Sequence, residues 1–122
     1  MGLEARIVKV LEGYDVFPTH APLGTPTPYV IYHLLGGEPL RFLDGTRPDQ
    51  RHAEVQISVF ADTVLAANQL AREVEDRLCH SDKCWARPLT EAFDIADETP
   101  APAMVGKSQD FSIWYPSSEG PD

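Results

Sequence analysis

Cys79, His80 and Cys84 fall within one six-residue stretch, and two thiols with an imidazole are donors that zinc prefers. A structural zinc site takes four ligands, usually as paired Cys-x2-Cys or His-x3-His groups. His20, His33 and His52 are scattered along the chain and supply no second pair. Cys79 also lies near the apolar stripe of a helix, so a packed thiol is expected, with both cysteines reduced and holding no metal. Asp94, Asp97 and Glu98 form a second cluster, suited to a hard cation or to acid/base work. No Gly-rich calcium-loop spacing accompanies them, and the parity of Asp94 points it away from the core. A solvated strand end is expected there. The chain has no Gly-x-Ser-x-Gly, phosphate loop or dinucleotide fingerprint, and Gly36-Gly37 reads as a turn. Trp85 and Trp114 could stack on bases, but no basic residues interleave with them, so core or interface is expected. These residues predict no catalytic site, no cofactor and no metal.

The elements that would position such residues follow from periodicity. Leu3, Ile7, Val10 and Leu11 share one face at spacings of three and four, and Gly13 follows: an N-terminal helix within residues 1–13. Pro18, Pro22, Pro26 and Pro28 make 14–28 an extended, Pro-rich arm. Tyr29 to Leu35 reads as a strand, with Tyr29, Ile31, His33 and Leu35 on one side and Val30, Tyr32 and Leu34 on the other. Both sides are apolar, and one small domain usually covers a sheet once, so a neighbouring subunit is expected to supply the second cover. Residues 38–50 read as a long loop. Arg51 to Phe60 is a strand with Ala53, Val55, Ile57 and Val59 inward and Glu54, Gln56 and Ser58 outward. Asp62 or Thr63 caps a helix whose stripe is Ala67, Leu70, Ala71, Val74 and Leu78, with Arg72–Asp76 and Glu73–Arg77 pairs on its wet side. Two strands follow, one carrying Trp85, Leu89, Phe93 and Ile95, the other Phe111, Ile113 and Tyr115. The connection 97–106 is too long for a tight hairpin, and the tail 116–122 is expected to fray. The predicted fold class is α+β: an antiparallel sheet of about four strands with helices on one face, in the order αββαββ.

With 122 residues, 43% of them apolar, the chain has material for one domain, 1–122, with one core. Its net charge is -9. Such an acidic surface repels phosphate, which argues against a dedicated nucleic-acid reader but not against a protein that DNA passes. The first residues show no secretory pattern, and the longest apolar stretch, Tyr29 to Leu35, is far too short to span a bilayer. A soluble protein of the cytosol, without a membrane partner, is expected.

The order of features resembles the tail-completion, or tail-terminator, family of long non-contractile phage tails. The short helix is followed by Asp15-Val16-Phe17-Pro18 and an arm ending in Pro28-Tyr29-Val30-Ile31-Tyr32. A Leu43-Asp44-Gly45 loop comes next, then Val55-Gln56-Ile57-Ser58-Val59-Phe60-Ala61 running into a helix near Thr63, and finally Phe93-Asp94 and an aromatic strand. The resemblance covers about residues 3–115. It implies an α+β subunit that forms a homo-oligomeric ring, commonly hexameric, on the end of a polymerised tail tube. Such a ring ends tube growth and provides the surface that joins the head through its connector protein. The implied partners are further copies, the tail-tube protein and the connector, with DNA passing through unbound. The implied location is the virion tail, assembled in the host bacterial cytoplasm. Cys84, the Trp85 segment and the acidic 94–98 stretch have no counterpart in that pattern. The expected subunit interface is Tyr29, Ile31, Tyr32, Leu34 and Trp114. A small α+β ligand-binding or regulatory domain acting as a dimer is the alternative, and an enzyme using Asp94, Asp97 and Glu98 on a metal is a third.

Overall fold

The computed structural model describes residues 2–39, 41, 43, 45, 49–95 and 105–116. Two helices, α1 (Leu3–Val10) and α2 (Val64–Cys79), accompany six strands: β1 (Val16–Pro18), β2 (Tyr29–Gly36), β3 (Gln50–Ala61), β4 (Trp85–Pro88), β5 (Phe93–Ile95) and β6 (Val105–Pro116). The class is α+β. The sheet is larger than the four strands expected, and the element order is αβββαβββ.

β3 and β6 are the spine of the sheet, antiparallel from Gln50↔Pro116 to Ala61↔Val105. β2 lies antiparallel on the other side of β3, in a register that sets Val30 opposite Val59 and Tyr32 opposite Ile57. β1 pairs parallel with β2, so the sheet is mixed rather than wholly antiparallel. This piece lies inside the extended arm expected over 14–28; Pro18 lacks a donor, which an edge strand tolerates since one side needs no ladder. On the far side of β6, β4 pairs with residues 111–114 and β5 with 106–108. The single strand expected over Trp85 to Ile95 is therefore broken in two. Pro88 cannot donate, and at the gap the Leu89 amide donates to the Asp110 carbonyl while Thr90 Oγ1 accepts from the Asp110 amide.

The core lies between one face of this sheet and the helices. Val30, Tyr32, Ala53, Val55, Ile57, Val59, Phe111 and Ile113 meet Leu3, Ile7 and Leu11 from the α1 segment and Leu70, Ala71, Val74 and Leu78 from α2. The buried residues of α2 are Ala67, Leu70, Ala71, Val74 and Leu78, the stripe expected from helical spacing. Thr63 starts this helix by accepting the Ala66 amide on its hydroxyl at 3.1 Å. Glu73 and Arg77 serve another purpose than the mutual pair expected. Tyr14 donates to Glu73 Oε2 at 2.7 Å, while Arg77 sits 4.6 Å over the Tyr14 ring and donates to the Glu12 carbonyl. They fasten the turn after α1 onto α2.

Candidate interaction surface

Because both helices lie on one side, the other face of the sheet has no helix over it among the described residues. Cross-strand register decides what stands there: Phe17, Tyr29, Ile31, His33 and, past an irregularity at Leu35, Gly36 from β1 and β2; His52, Glu54, Gln56, Ser58 and Phe60 from β3. β6 adds Ser108, Asp110, Ser112 and Trp114, with Trp85 and Arg87 from β4 and Phe93 and Ile95 from β5.

The middle of this face is a polar ladder that satisfies itself. Ser58 and Ser108 share a hydrogen bond of 2.8 Å, Gln56 donates to Asp110 Oδ1 at 3.2 Å, and His52 meets Ser112 Oγ at 2.7 Å. Ser108 and Ser112 are buried although they lie on the side without helices. Aromatic groups occupy the two ends. At one, Tyr29 stacks on Phe60 at 5.0 Å and takes Phe17 edge-on at 6.2 Å. At the other, Trp114 tilts against the His52 ring at 4.7 Å, with Trp85 paired beside it. Trp85 is 60% exposed, Leu35 47% and Phe93 41%. Large apolar side chains so arranged are typical of association surfaces.

The expected interface residues separate in this geometry. Ile31 and Trp114 lie half-buried on the open face, and Leu34 reaches the surface from the helix side. Tyr29 and Tyr32 are already covered by the chain itself, Tyr29 by its aromatic neighbours and Tyr32 in the core. Burial, with the nearby Glu4 carboxylate, pushes the Tyr32 phenol above its ordinary range. Trp85, expected in the core or at an interface, stands exposed on the open face. The parity expected to put Asp94 away from the core is reversed: Phe93 and Ile95 lie on the open face, and Asp94 lies on the helix side opposite Lys107. Leu23 was missed. It is fully exposed in a turn where Gly24 (φ +84) follows it and Thr25 donates back to the Pro22 carbonyl. The Pro-Leu-Gly-Thr string carries that type II turn openly.

The candidate chemical groups have structural uses. Cys84, not Cys79, is the packed thiol; Cys79 is exposed at the end of α2. Helical spacing put Cys79 next to the stripe, but the chain turns there, and Cys84 enters the core from the following loop. Burial above all holds both thiols above the usual range, helped at Cys79 by Glu75 and Asp76 and opposed at Cys84 by Arg6. Neither is a poised nucleophile. His80 Nδ1 meets the Asp76 carbonyl at 2.9 Å and closes the end of α2. Asp94 accepts from Lys107 at 2.8 Å, while Asp97 and Glu98 lie outside the described residues. Among the described residues, no group of three His, Cys, Asp or Glu side chains is placed to hold a metal ion. Nor is any helix among the described residues long and apolar enough to cross a membrane.

Two grooves lie elsewhere on the described surface. One, of about 480 Å³, runs beside Leu3, Leu34, Gly37, Pro39, His52 and Tyr115. The other, about 490 Å³, lies between α2 and β6 along Arg72, Glu75, Asp76, Glu91, Lys107 and Gln109. Its polar groups converge on one another: Gln109 Nε2 donates to Glu75 Oε1 at 2.5 Å and to the Thr90 carbonyl at 2.9 Å.

No family profile matches the chain, and no curated protein is similar to it. Several solved structures are similar; in one of them, whose name states no activity or partner, the likeness spans 98% of this chain and 95% of its own, with a TM-score of 0.50 and 16% identity. That likeness concerns the fold alone.

Proposed function

We propose that this chain is a structural subunit of a long phage tail, a terminator that closes into a ring on the tail tube, ends its growth and offers the surface for head joining. The observation that carries the reading is the sheet covered on one side only, whose open face is polar and self-satisfied in the middle and apolar at both ends. The residues of the family resemblance supply the phage context: the Pro28-Tyr29 entry to β2, and β3 running through Val55–Ala61 into α2. In this reading Ile31, Leu34 and Trp114 of the expected interface, extended by Leu35, Trp85 and Phe93, meet a different patch on the next copy. Closure by rotation then gives a ring. Six chains of 13.5 kDa make about 81 kDa. The net charge of -9 opposes association at low salt and keeps the ring from gripping DNA.

The test mixes the protein with preformed tail tubes and follows co-sedimentation and tube length. Capping of tube ends and arrest of elongation support the reading. A protein that neither caps tubes nor forms rings at high salt and high concentration sinks it, and the ligand-binding dimer then takes its place.

A further inference from the structure

His52 is gripped on both ring nitrogens. The Glu38 backbone amide lies 3.1 Å from Nδ1, and Ser112 Oγ lies 2.7 Å from Nε2. An amide N–H can only donate, so Nδ1 must accept and the single ring proton sits on Nε2, where it is donated to Ser112. Trp114 lies against the ring at 4.7 Å and limits its rotation. The segment held by this bond is itself in tight contact with β3. A Cβ at Gly37 would collide with the His52 carbonyl and come within 2.8 Å of Ala53 Cα, so only glycine allows the approach. Gly36, Gly37, Glu38 and Pro39 form one wall of the groove beside Leu3 and Tyr115.

We propose that neutral His52 is a latch: it fastens the Gly36–Pro39 segment to the start of β3, and uptake of a second ring proton releases that segment and opens the groove it walls. Protonation places a hydrogen on Nδ1 facing the Glu38 N–H, so an attractive contact becomes a repulsive one, while the Nε2–Ser112 bond is retained. The ionisable groups around the ring come from every neighbouring element. Glu4 of α1, Glu38 of the latched segment, Arg51 beside His52 and Tyr115 of β6 line the same groove. Glu54 and His33 share the open face, and Arg87 of β4 stands opposite Ser112. None of these accepts from Nδ1 in the latched geometry, where the Glu38 amide occupies that position.

The test is nuclear magnetic resonance on the full chain between about pH 5 and 8, where imidazoles change charge. At the upper end the ring nitrogen shifts of His52 should report the Nε2–H tautomer. As the ring protonates, exchange of the Glu38 amide, corrected for its intrinsic pH dependence, should accelerate about fivefold or more, in step with the ring. Glu38→Gln should leave that coupling intact, whereas His52→Gln, which keeps an acceptor but cannot charge, should abolish it. An Nδ1–H tautomer at the upper end overturns the proposal, and so does a Glu38 amide whose exchange ignores the His52 titration. Both of these readouts use the unsubstituted chain and stand even if a variant fails to fold.

Discussion

Gln56 and Ile57 are neighbours on β3 with opposite surroundings. Ile57 is 2% exposed beneath α2, whereas Gln56 lies on the open face and donates to Asp110. Ile57→Ala leaves a cavity in a close-packed layer and should cost about 2–5 kcal/mol, while Gln56→Ala gives up one solvent-side hydrogen bond worth about 1 kcal/mol. Denaturant midpoints for the two variants check this, and equal shifts would mean that the faces are reversed. Tyr14 carries a pH prediction. Desolvation first, then its hydrogen bond to Glu73, raise its phenol above the ordinary value. A group whose folded pKa is raised stabilises the fold below its unfolded value, near pH 10, and that contribution fades as pH climbs through the folded one. Tyr14→Phe should therefore lower the melting temperature at pH 8, with the gap from the parent narrowing above about pH 10. A gap constant with pH would mean that the phenol proton plays no part.

At the scale of elements, α2 is both the longest helix and the one whose start is fixed by a single side chain. Thr63→Ala removes the acceptor for the Ala66 amide and should cost about 1 kcal/mol. Circular dichroism melts would show it, and Thr63→Ser should recover most of the loss. β5 is three residues long and pairs with the first residues of β6, where Lys107 and Asp94 add an ion pair at its centre. The Asp94 side chain is 83% exposed, so screening leaves that pair little weight. The pairing of β5 rests instead on its backbone ladder, with Phe60 and Ile95 lying over Gly106.

For the whole molecule, the asymmetry of the sheet is the property with functional weight. Its helix side carries the core, so substitutions there report on folding. Its open side carries Trp85 and Phe93, so substitutions there should report on association. Trp85→Asp should leave the melting temperature of the isolated chain within a few degrees of the parent, since surface changes usually stay within about 0.5 kcal/mol. The same variant should abolish rings and tube capping, read by sedimentation and tube length. Unimpaired capping would move the interface elsewhere on the molecule.

The amphipathic patterns determined much of this protein on their own. The stripe of α2 and the alternation of Ala53, Val55, Ile57 and Val59 were legible because each element buries one face, and burial selects residue type at the period of the backbone. The first half of β6 was not legible. Val-Gly-Lys-Ser-Gln-Asp has no apolar alternation, and its buried Ser108 and Gln109 are satisfied by partners distant in sequence, Ser58 for the first and Glu75 with the Thr90 carbonyl for the second. The same holds for the parallel edge strand β1 and for the division of Trp85–Ile95, which depend on partners distant in sequence. The two apolar sides of β2 were plain in the sequence, but their cover was not. Phe17 and Phe60 close over Tyr29, and α1 and α2 close over Val30 and Tyr32. His52 looked like one scattered histidine among four. Only the register of β3 against β6 and the return of the chain at Gly37 place acceptor and donor on its two nitrogens, because cross-strand neighbours are set by pairing and not by spacing.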